Sequence, residues 1–201
     1  MRLLKVIVGI LAAIGIGALA ACAMFMAGGI GARQPPGKLE SAMAPRLRSM
    51  AIPRAARDMK SPVPASADAV KEGMEHFADH CAICHGNDGS GNTHVGQNMY
   101  PRVPDMRTDA TQRLTDGELY YIIHNGVRWT GMPAWGEAAN DNDQDSWKLV
   151  LFIRHLPNLS AEEIRDMERF NPKSDSEREE EKEEQEFLNG GPAGDATQKP
   201  R

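Results

Sequence analysis

Two cysteines and a histidine lie together in the stretch CAICHG, residues 81–86. Cys81 and Cys84 are two of the three cysteines in the chain, and His85 follows the second directly. This spacing serves three chemistries, which are a metal site, a dithiol redox pair and the covalent attachment of haem. The rest of the sequence has to distinguish among them.

The first two chemistries lack the partners that they need. A structural zinc site has four ligands, so a CxxC pair requires a second pair of Cys or His residues. The only other cysteine lies in an apolar N-terminal run, and the remaining histidines, at 76, 80, 94, 124 and 155, have no ligand spacing. A thioredoxin-like dithiol requires a βαβ context, whereas this motif follows a predicted helix. The pattern therefore favours haem attachment, with thioether bonds to Cys81 and Cys84 and His85 as an iron ligand.

The second axial ligand of such an iron should be a soft or imidazole donor well downstream of the motif. Met132, in the sequence TGMPAW, is the best candidate, because a glycine and a proline confine it in a loop. Other methionines and histidines of this region are predicted to be core, loop, exposed or capping residues: Met74, Met99, Met106, His94 and His124.

Four helices are predicted in the middle of the chain, at about 66–81, 115–126, 144–156 and 160–170, and no strand-like alternation occurs. The first has Ser66 or Asp68 as its N-cap. Capping-box pairs begin the second and the fourth: Thr115 with Glu118, and Ser160 with Glu163. The connecting loops are long for so small a domain. We interpret them as wrapping a large group, such as a porphyrin, that supplies the missing core.

The N-terminus carries an uncharged apolar run from Val6 to Gly31, preceded by Arg2 and Lys5. Its 26 residues exceed the roughly 20 that a membrane-spanning helix needs, so an uncleaved signal-anchor is predicted. Two alternatives remain, namely cleavage after the sequence ALA at 18–20 and a lipoprotein signal in which Cys22 is lipidated. All three predict that the rest of the chain lies outside the cytoplasm. Basic residues lie on both sides of the run, so the distribution of positive charge barely favours either orientation of the helix in the membrane. We infer the orientation from the predicted haem attachment, which takes place outside the cytoplasm.

Composition divides the chain into five predicted parts. Residues 33–60 hold seven Lys or Arg against two acids, and residues 174–186 hold eight acids against two bases. We predict a transmembrane signal-anchor at 1–31, a Pro-rich basic linker at 32–65, a haem domain at 66–158, a short amphipathic helix at 159–170 and a disordered acidic tail at 171–201. The formal net charge of −5 argues against nucleic acid as a partner.

Residues 67–157 resemble class I cytochromes c, and most of all the membrane-anchored single-haem cytochromes c of bacteria. The resemblance rests on CAICH, on GMPAW at the methionine loop and on PDM at 104–106 in place of the family's Pro-x-Leu. It rests also on Gly73 and Phe77 in the first predicted helix and on Phe152 in the third. It implies an all-α cytochrome c-like domain in which these helices cross near Gly73 and Phe152. It also implies that the carbonyl of Pro104 accepts a hydrogen bond from His85, which ligates the iron opposite Met132.

The resemblance implies one covalently attached haem c and a carrier rather than an enzyme. The carrier would transfer one electron at a time between redox proteins of a respiratory or dehydrogenase chain, on the periplasmic side of the bacterial cytoplasmic membrane. With His85 and Met132 on the iron, no coordination position is open for a substrate. Two alternatives remain: a haem subunit docked to a periplasmic dehydrogenase or respiratory complex, and an open-site peroxidase or sensor with His124 near the iron. Burial of the haem would also bury some of Ile123, Val127, Trp129 and Trp135.

Overall fold

The computed structural model describes residues 2–29, 31–137, 140 and 143–189, and the regular elements in this part of the chain are all helical. The predicted all-α class is therefore confirmed. The α-helices are α1 Arg2–Ala27, α2 Lys38–Ala51, α3 Arg54–Arg57, α4 Ala67–His76, α5 Ala82–His85, α6 His94–Gln97, α7 Asp109–Gln112, α8 Asp116–Asn125, α9 Gln144–His155, α10 Ala161–Met167 and α11 Asp175–Leu188. A π-helical turn, Phe77–Cys81, joins α4 to α5, and 3-10 turns at Leu156–Asn158 and Glu168–Phe170 follow α9 and α10.

Helix α1 is long and apolar enough to cross a membrane. Its apolar part, Arg2–Met24, has 23 residues, and no residue of its most apolar stretch is buried inside the protein. At a rise of 1.5 Å per residue this part is about 35 Å long, which exceeds the roughly 30 Å hydrocarbon core of a bilayer. Helix α1 thus has the length and composition of a membrane-spanning helix.

The core of the domain forms where α4 crosses α9. A Cβ atom at Gly73 would lie 2.2 Å from the carbonyl oxygen of Lys148 and 3.2 Å from the Cβ of Phe152. Only glycine allows two helix backbones to approach this closely. Phe77 and Phe152 are both buried, and their ring centroids are 5.0 Å apart. The crossing that the resemblance implied is therefore present.

We expect Gly73→Ala to lower the free energy of unfolding by about 2 kcal/mol, because the added methyl group forces the two helices apart in a close-packed core. This loss exceeds the gain of about 1 kcal/mol that alanine brings as a better helix former. Urea unfolding in detergent, followed by the fluorescence of tryptophans that include the buried Trp147, measures the change. Gly37→Ala is the matched control, because nothing lies within 4 Å of a Cβ at that position. Equal unfolding midpoints for the two variants would contradict the prediction.

The predicted helix signals around the core are also confirmed. Ser66 caps α4, and its hydroxyl accepts a hydrogen bond from the N–H of Ala69 at 3.1 Å. The capping boxes at Thr115 and Ser160 are formed at the starts of α8 and α10. Helices α8 and α9 meet through Tyr120 and Trp147, whose stacked rings have centroids 4.3 Å apart.

The segment 32–65 differs from the predicted linker, since it contains the 14-residue helix α2. Pro45 lies inside α2, where it removes one backbone donor. Most other residues of α2 are strong helix formers, which offsets that loss. The segment after α2 also packs on the domain, because Ile52 and Ala56 are buried and a Cβ at Gly117 would lie 1.9 Å from the carbonyl oxygen of Ala56. An ion pair of 3.2 Å between Arg57 and Glu118 lies beside this contact.

The acidic segment differs from the predicted disorder over Asp175–Leu188, which forms α11. A capping box between Ser174 and Glu177 begins this helix. Its Glu, Lys, Arg and Gln residues are good helix formers, but none of its residues is buried. The helix is therefore stabilised locally rather than by packing. The end of the predicted tail, from 190 onward, lies outside the described residues.

Candidate functional site

Cys81, Cys84 and His85 lie at the end of the helical segment formed by α4, the π turn and α5. π-helical turns inserted in helices are frequent at functional sites. The segment ends at Gly86, whose φ of 73° allows the chain to reverse. Beyond it, the N–H of Gly91 donates to the carbonyl of His85 at 2.7 Å, and the hydroxyl of Thr93 donates to the carbonyl of Cys84 at 3.0 Å. The following loop thus folds back and holds the end of the motif.

The environment of the two thiols disfavours redox-dithiol and zinc chemistry. Cys81 and Cys84 are not disulfide-bonded. Burial raises the pKa of Cys81 to about 12 and also raises the pKa of Cys84, whereas a reactive dithiol needs a lowered pKa. Within the described residues, no group of three or more His, Cys, Asp or Glu side chains is arranged to hold a metal ion.

The imidazole of His85 fits an iron ligand. Burial lowers its pKa to about 4, so the ring is neutral at pH 7, as metal ligation requires. Its Nδ1 atom is buried and has no hydrogen-bond partner among the described residues. An unpaired buried polar atom destabilises a protein unless a further group satisfies the ring. Two free thiols beside such an imidazole fit a covalently attached haem.

Pro104 lies close to the motif, although the Nδ1 atom of His85 has no hydrogen-bond partner in the described part of the chain. A Cβ at Gly91 would lie 3.2 Å from the carbonyl oxygen of Pro104 and 2.6 Å from that of Val103. Residues 103–104 therefore pack against the turn after His85. Met106, which replaces the family's leucine, is buried, and its N–H donates to the carbonyl of Gly89 at 2.9 Å.

Met132 is half-buried and packs against the same core cluster as Cys81. Its loop is a tight turn in which the N–H of Val127 donates to the carbonyl of Met132 at 3.1 Å, and the N–H of Met132 donates to the hydroxyl of Thr130 at 3.1 Å. Gly126, with a φ of 65°, ends α8 and permits close approach of the loop, since a Cβ there would lie 2.5 Å from the carbonyl carbon of Pro133. The position of Met132 is thus tied to the end of α8.

Contacts of Trp135, which follows Met132, bring the Met132 loop to the attachment segment. The rings of His80 and Trp135 meet edge to face, with centroids 5.4 Å apart, and His80 directly precedes Cys81. The N–H of Trp135 donates to the carbonyl of Ile123 at 3.2 Å, which holds the chain after Met132 along α8.

Met99 is a site residue whose position the sequence analysis missed. Its Sδ atom lies 2.8 Å from the place that a Cβ at Gly131 would occupy, so it packs against the backbone of the Met132 loop. The sequence held one indication of this contact, namely Gly131 beside Met132, because a glycine allows another side chain to approach the backbone closely. Met99 comes from the loop that follows CAICHG, and it therefore joins that loop to the Met132 loop.

The expectation that His124 is an exposed or capping residue is wrong. His124 is instead buried, and its ring stacks on that of Tyr120 with centroids 5.3 Å apart. Its Nδ1 atom lies 1.8 Å from the place that a Cβ at Gly136 would occupy, so the ring packs directly on the backbone of that glycine. Of the residues expected to be buried with a haem, Ile123 is buried, whereas Trp129 is 91% exposed at the tip of the loop. Contacts between separate segments decide both positions.

Comparison with known proteins identifies the class of this site. Residues 68–153 match the family model described as cytochrome c oxidase, cbb3-type, subunit III. Over 89 residues the chain is 35% identical to the Cbb3-type cytochrome c oxidase subunit FixP of Azorhizobium caulinodans, a match that covers 40% of this chain and 25% of FixP. The chain thus spans a quarter of the length of that relative. The matched region is therefore similar to the cytochrome domain of such oxidase subunits, which agrees with the class inferred from the sequence.

Proposed function

We propose that this membrane-anchored c-type cytochrome carries one haem c, bonded covalently to Cys81 and Cys84, with His85 and Met132 as the axial ligands of its iron. The proposal is carried by the arrangement of side chains at the end of α5. There the free thiols of Cys81 and Cys84 lie beside the neutral imidazole of His85, and the Met132 loop lies close to the same segment. The chain has a single CxxCH motif, which accounts for one haem. When bound, the haem iron supplies a one-electron Fe(III)/Fe(II) couple.

The residues around the motif support a carrier rather than a catalyst. His85 and Met132 would fill both axial positions, which leaves no site for a substrate on the iron. Histidine–methionine ligation gives a higher reduction potential than two histidines, as suits a respiratory carrier. Pro104 packs on the turn beside His85 and would help to hold the ring. We infer that the chain passes single electrons between redox partners and has no catalytic site of its own.

The family match favours a second candidate, a haem subunit within a respiratory oxidase complex, because FixP is named as a subunit of a cbb3-type oxidase. The same electron transfer would then occur inside an assembly rather than by a tethered shuttle. Purification of the tagged chain from detergent-solubilised membranes distinguishes the two, since a subunit brings haem-containing partners with it. In either case we place the domain in the periplasm, because haem is attached to CxxCH motifs outside the cytoplasm.

The test of the proposed site is the haem content of the purified wild-type chain. We expect one haem per chain by the pyridine haemochrome spectrum, because one CxxCH motif is present. The haem should remain with the polypeptide after acidic acetone extraction and denaturing electrophoresis, since thioether bonds survive both treatments. A band without haem stain would contradict covalent attachment.

A further inference from the structure

Helix α2 has an apolar stripe that no described part of the chain covers. Leu39, Met43, Leu47 and Met50 lie within about 80° of arc around the helix, at 100° per residue. Their exposed fractions are 73%, 43%, 55% and 80%. The four side chains form one continuous apolar strip along a helix that has no buried residue.

The other side of α2 faces the cytochrome domain. Arg48 donates to the carbonyl of Ala110 at 3.4 Å, and the hydroxyl of Ser49 accepts a hydrogen bond from Arg57 at 3.2 Å. Arg48 and Ser49 are half-buried, and each lies more than about 100° around the helix from the centre of the stripe. The domain therefore holds α2 with the apolar stripe directed away from it.

The chain itself places a membrane next to α2. Helix α1 ends at Ala27 and α2 begins at Lys38, so the residues between them, at most about 36 Å long when fully extended, tether α2 to the end of the membrane-spanning helix. Arg46 flanks the stripe, Lys38 begins the helix and Arg33 precedes it. The single acid of α2, Glu40, is engaged by the hydroxyl of Tyr100. Three basic residues against one acid make the surroundings of the stripe net positive, which complements anionic lipid headgroups.

We propose that α2 lies in the interface of the membrane that α1 crosses, with Leu39, Met43, Leu47 and Met50 at the boundary of headgroups and acyl chains. An amphipathic helix with an apolar stripe and basic flanks binds bilayers in this way. Because α2 is also hydrogen-bonded to the domain, the position of α2 in the interface sets the distance and tilt of the domain relative to the membrane. The proposal goes beyond electron transfer and rests on the anchor and α2 alone, so it stands or falls independently of the haem assignment.

The experiment uses the full chain with Cys22→Ala, reconstituted in vesicles of phosphatidylethanolamine and phosphatidylglycerol. Met43→Cys places a thiol on the stripe, and Ser41→Cys, exposed on the opposite side of α2, is the matched control. A water-soluble maleimide should label Met43→Cys about tenfold more slowly than Ser41→Cys in the outward-facing molecules, because burial of that side chain in the interface removes it from water. The Cys22→Ala parent provides the blank.

Three results would overturn the proposal. Equal labelling rates would show that the stripe faces water. Protection that disappears as the ratio of lipid to protein is raised would assign the stripe to contact between copies of the chain. Protection of Met43→Cys that persists when Leu39 and Leu47 are both changed to Gln would show that the stripe does not hold the helix. The proposal is supported if Met43→Cys stays protected from the maleimide at every ratio of lipid to protein and loses that protection in the double Gln variant.

Discussion

Met132→Ala is expected to open the sixth coordination position of the iron, to lower the reduction potential and to let the ferrous protein bind carbon monoxide. The thioether sulfur is a soft donor that favours ferrous iron, and alanine supplies no ligand. The loop should keep its shape, because the backbone bond from Val127 to Met132 and the close approach of Gly126 to Pro133 do not involve the Met132 side chain. Redox titration and the visible spectrum under carbon monoxide measure the three changes.

Met99→Ala is the matched control for this prediction, because Met99 packs on the same loop at Gly131. It should leave the potential and the resistance to carbon monoxide close to those of the wild type. Met132→His should restore low-spin iron at a lower potential than methionine gives. Wild-type protein that binds carbon monoxide readily would favour the open-site alternative, and loss of the ligand in Met99→Ala would transfer the assignment to Met99.

Replacement of both Cys81 and Cys84 by serine is expected to abolish covalent haem completely and to destabilise the domain. Serine hydroxyls form no thioether bonds, so the haem would be lost from the denatured chain. The long loop after His85 would then lose the group that we propose it encloses, and His85 would lose the iron that it ligates. Haem staining of a denaturing gel and the rate of proteolysis of solubilised membranes measure the two effects.

Cys22→Ser is the control for the cysteine pair, because Cys22 lies exposed in α1, away from the motif. It should retain a haem-stained band of wild-type intensity. A stained band in the double variant would show that attachment does not need these thiols. Loss of membrane association in Cys22→Ser would instead favour the lipoprotein alternative for the N-terminus.

The helices that carry the site were predictable from the sequence because their signals are local. Capping boxes at Thr115 and Ser160 and the glycine after α8 act within one or two helical turns of the elements that they delimit. The cysteine pair and His85 are adjacent in the chain, so the spacing of the motif alone brings them to one helix end. The anchor is likewise a property of length and hydropathy.

The sequence left open, or assigned wrongly, the features that depend on contacts between distant segments. It could propose Met132 as a ligand, but the closeness of its loop to the motif depends on the contact of His80 with Trp135. Burial of His124 likewise depends on its tertiary neighbours.

Helix α2 shows the same division between local and tertiary information. Its prolines suggested a linker, yet one proline inside a run of good helix formers removes only one backbone donor, and the helix persists. The apolar spacing of Leu39, Met43, Leu47 and Met50 was present in the sequence. Only the contacts of Arg48 with the domain and of Ser49 with α3 decided which way that stripe faces, because the direction of a helix face is set by the surface against which the helix packs.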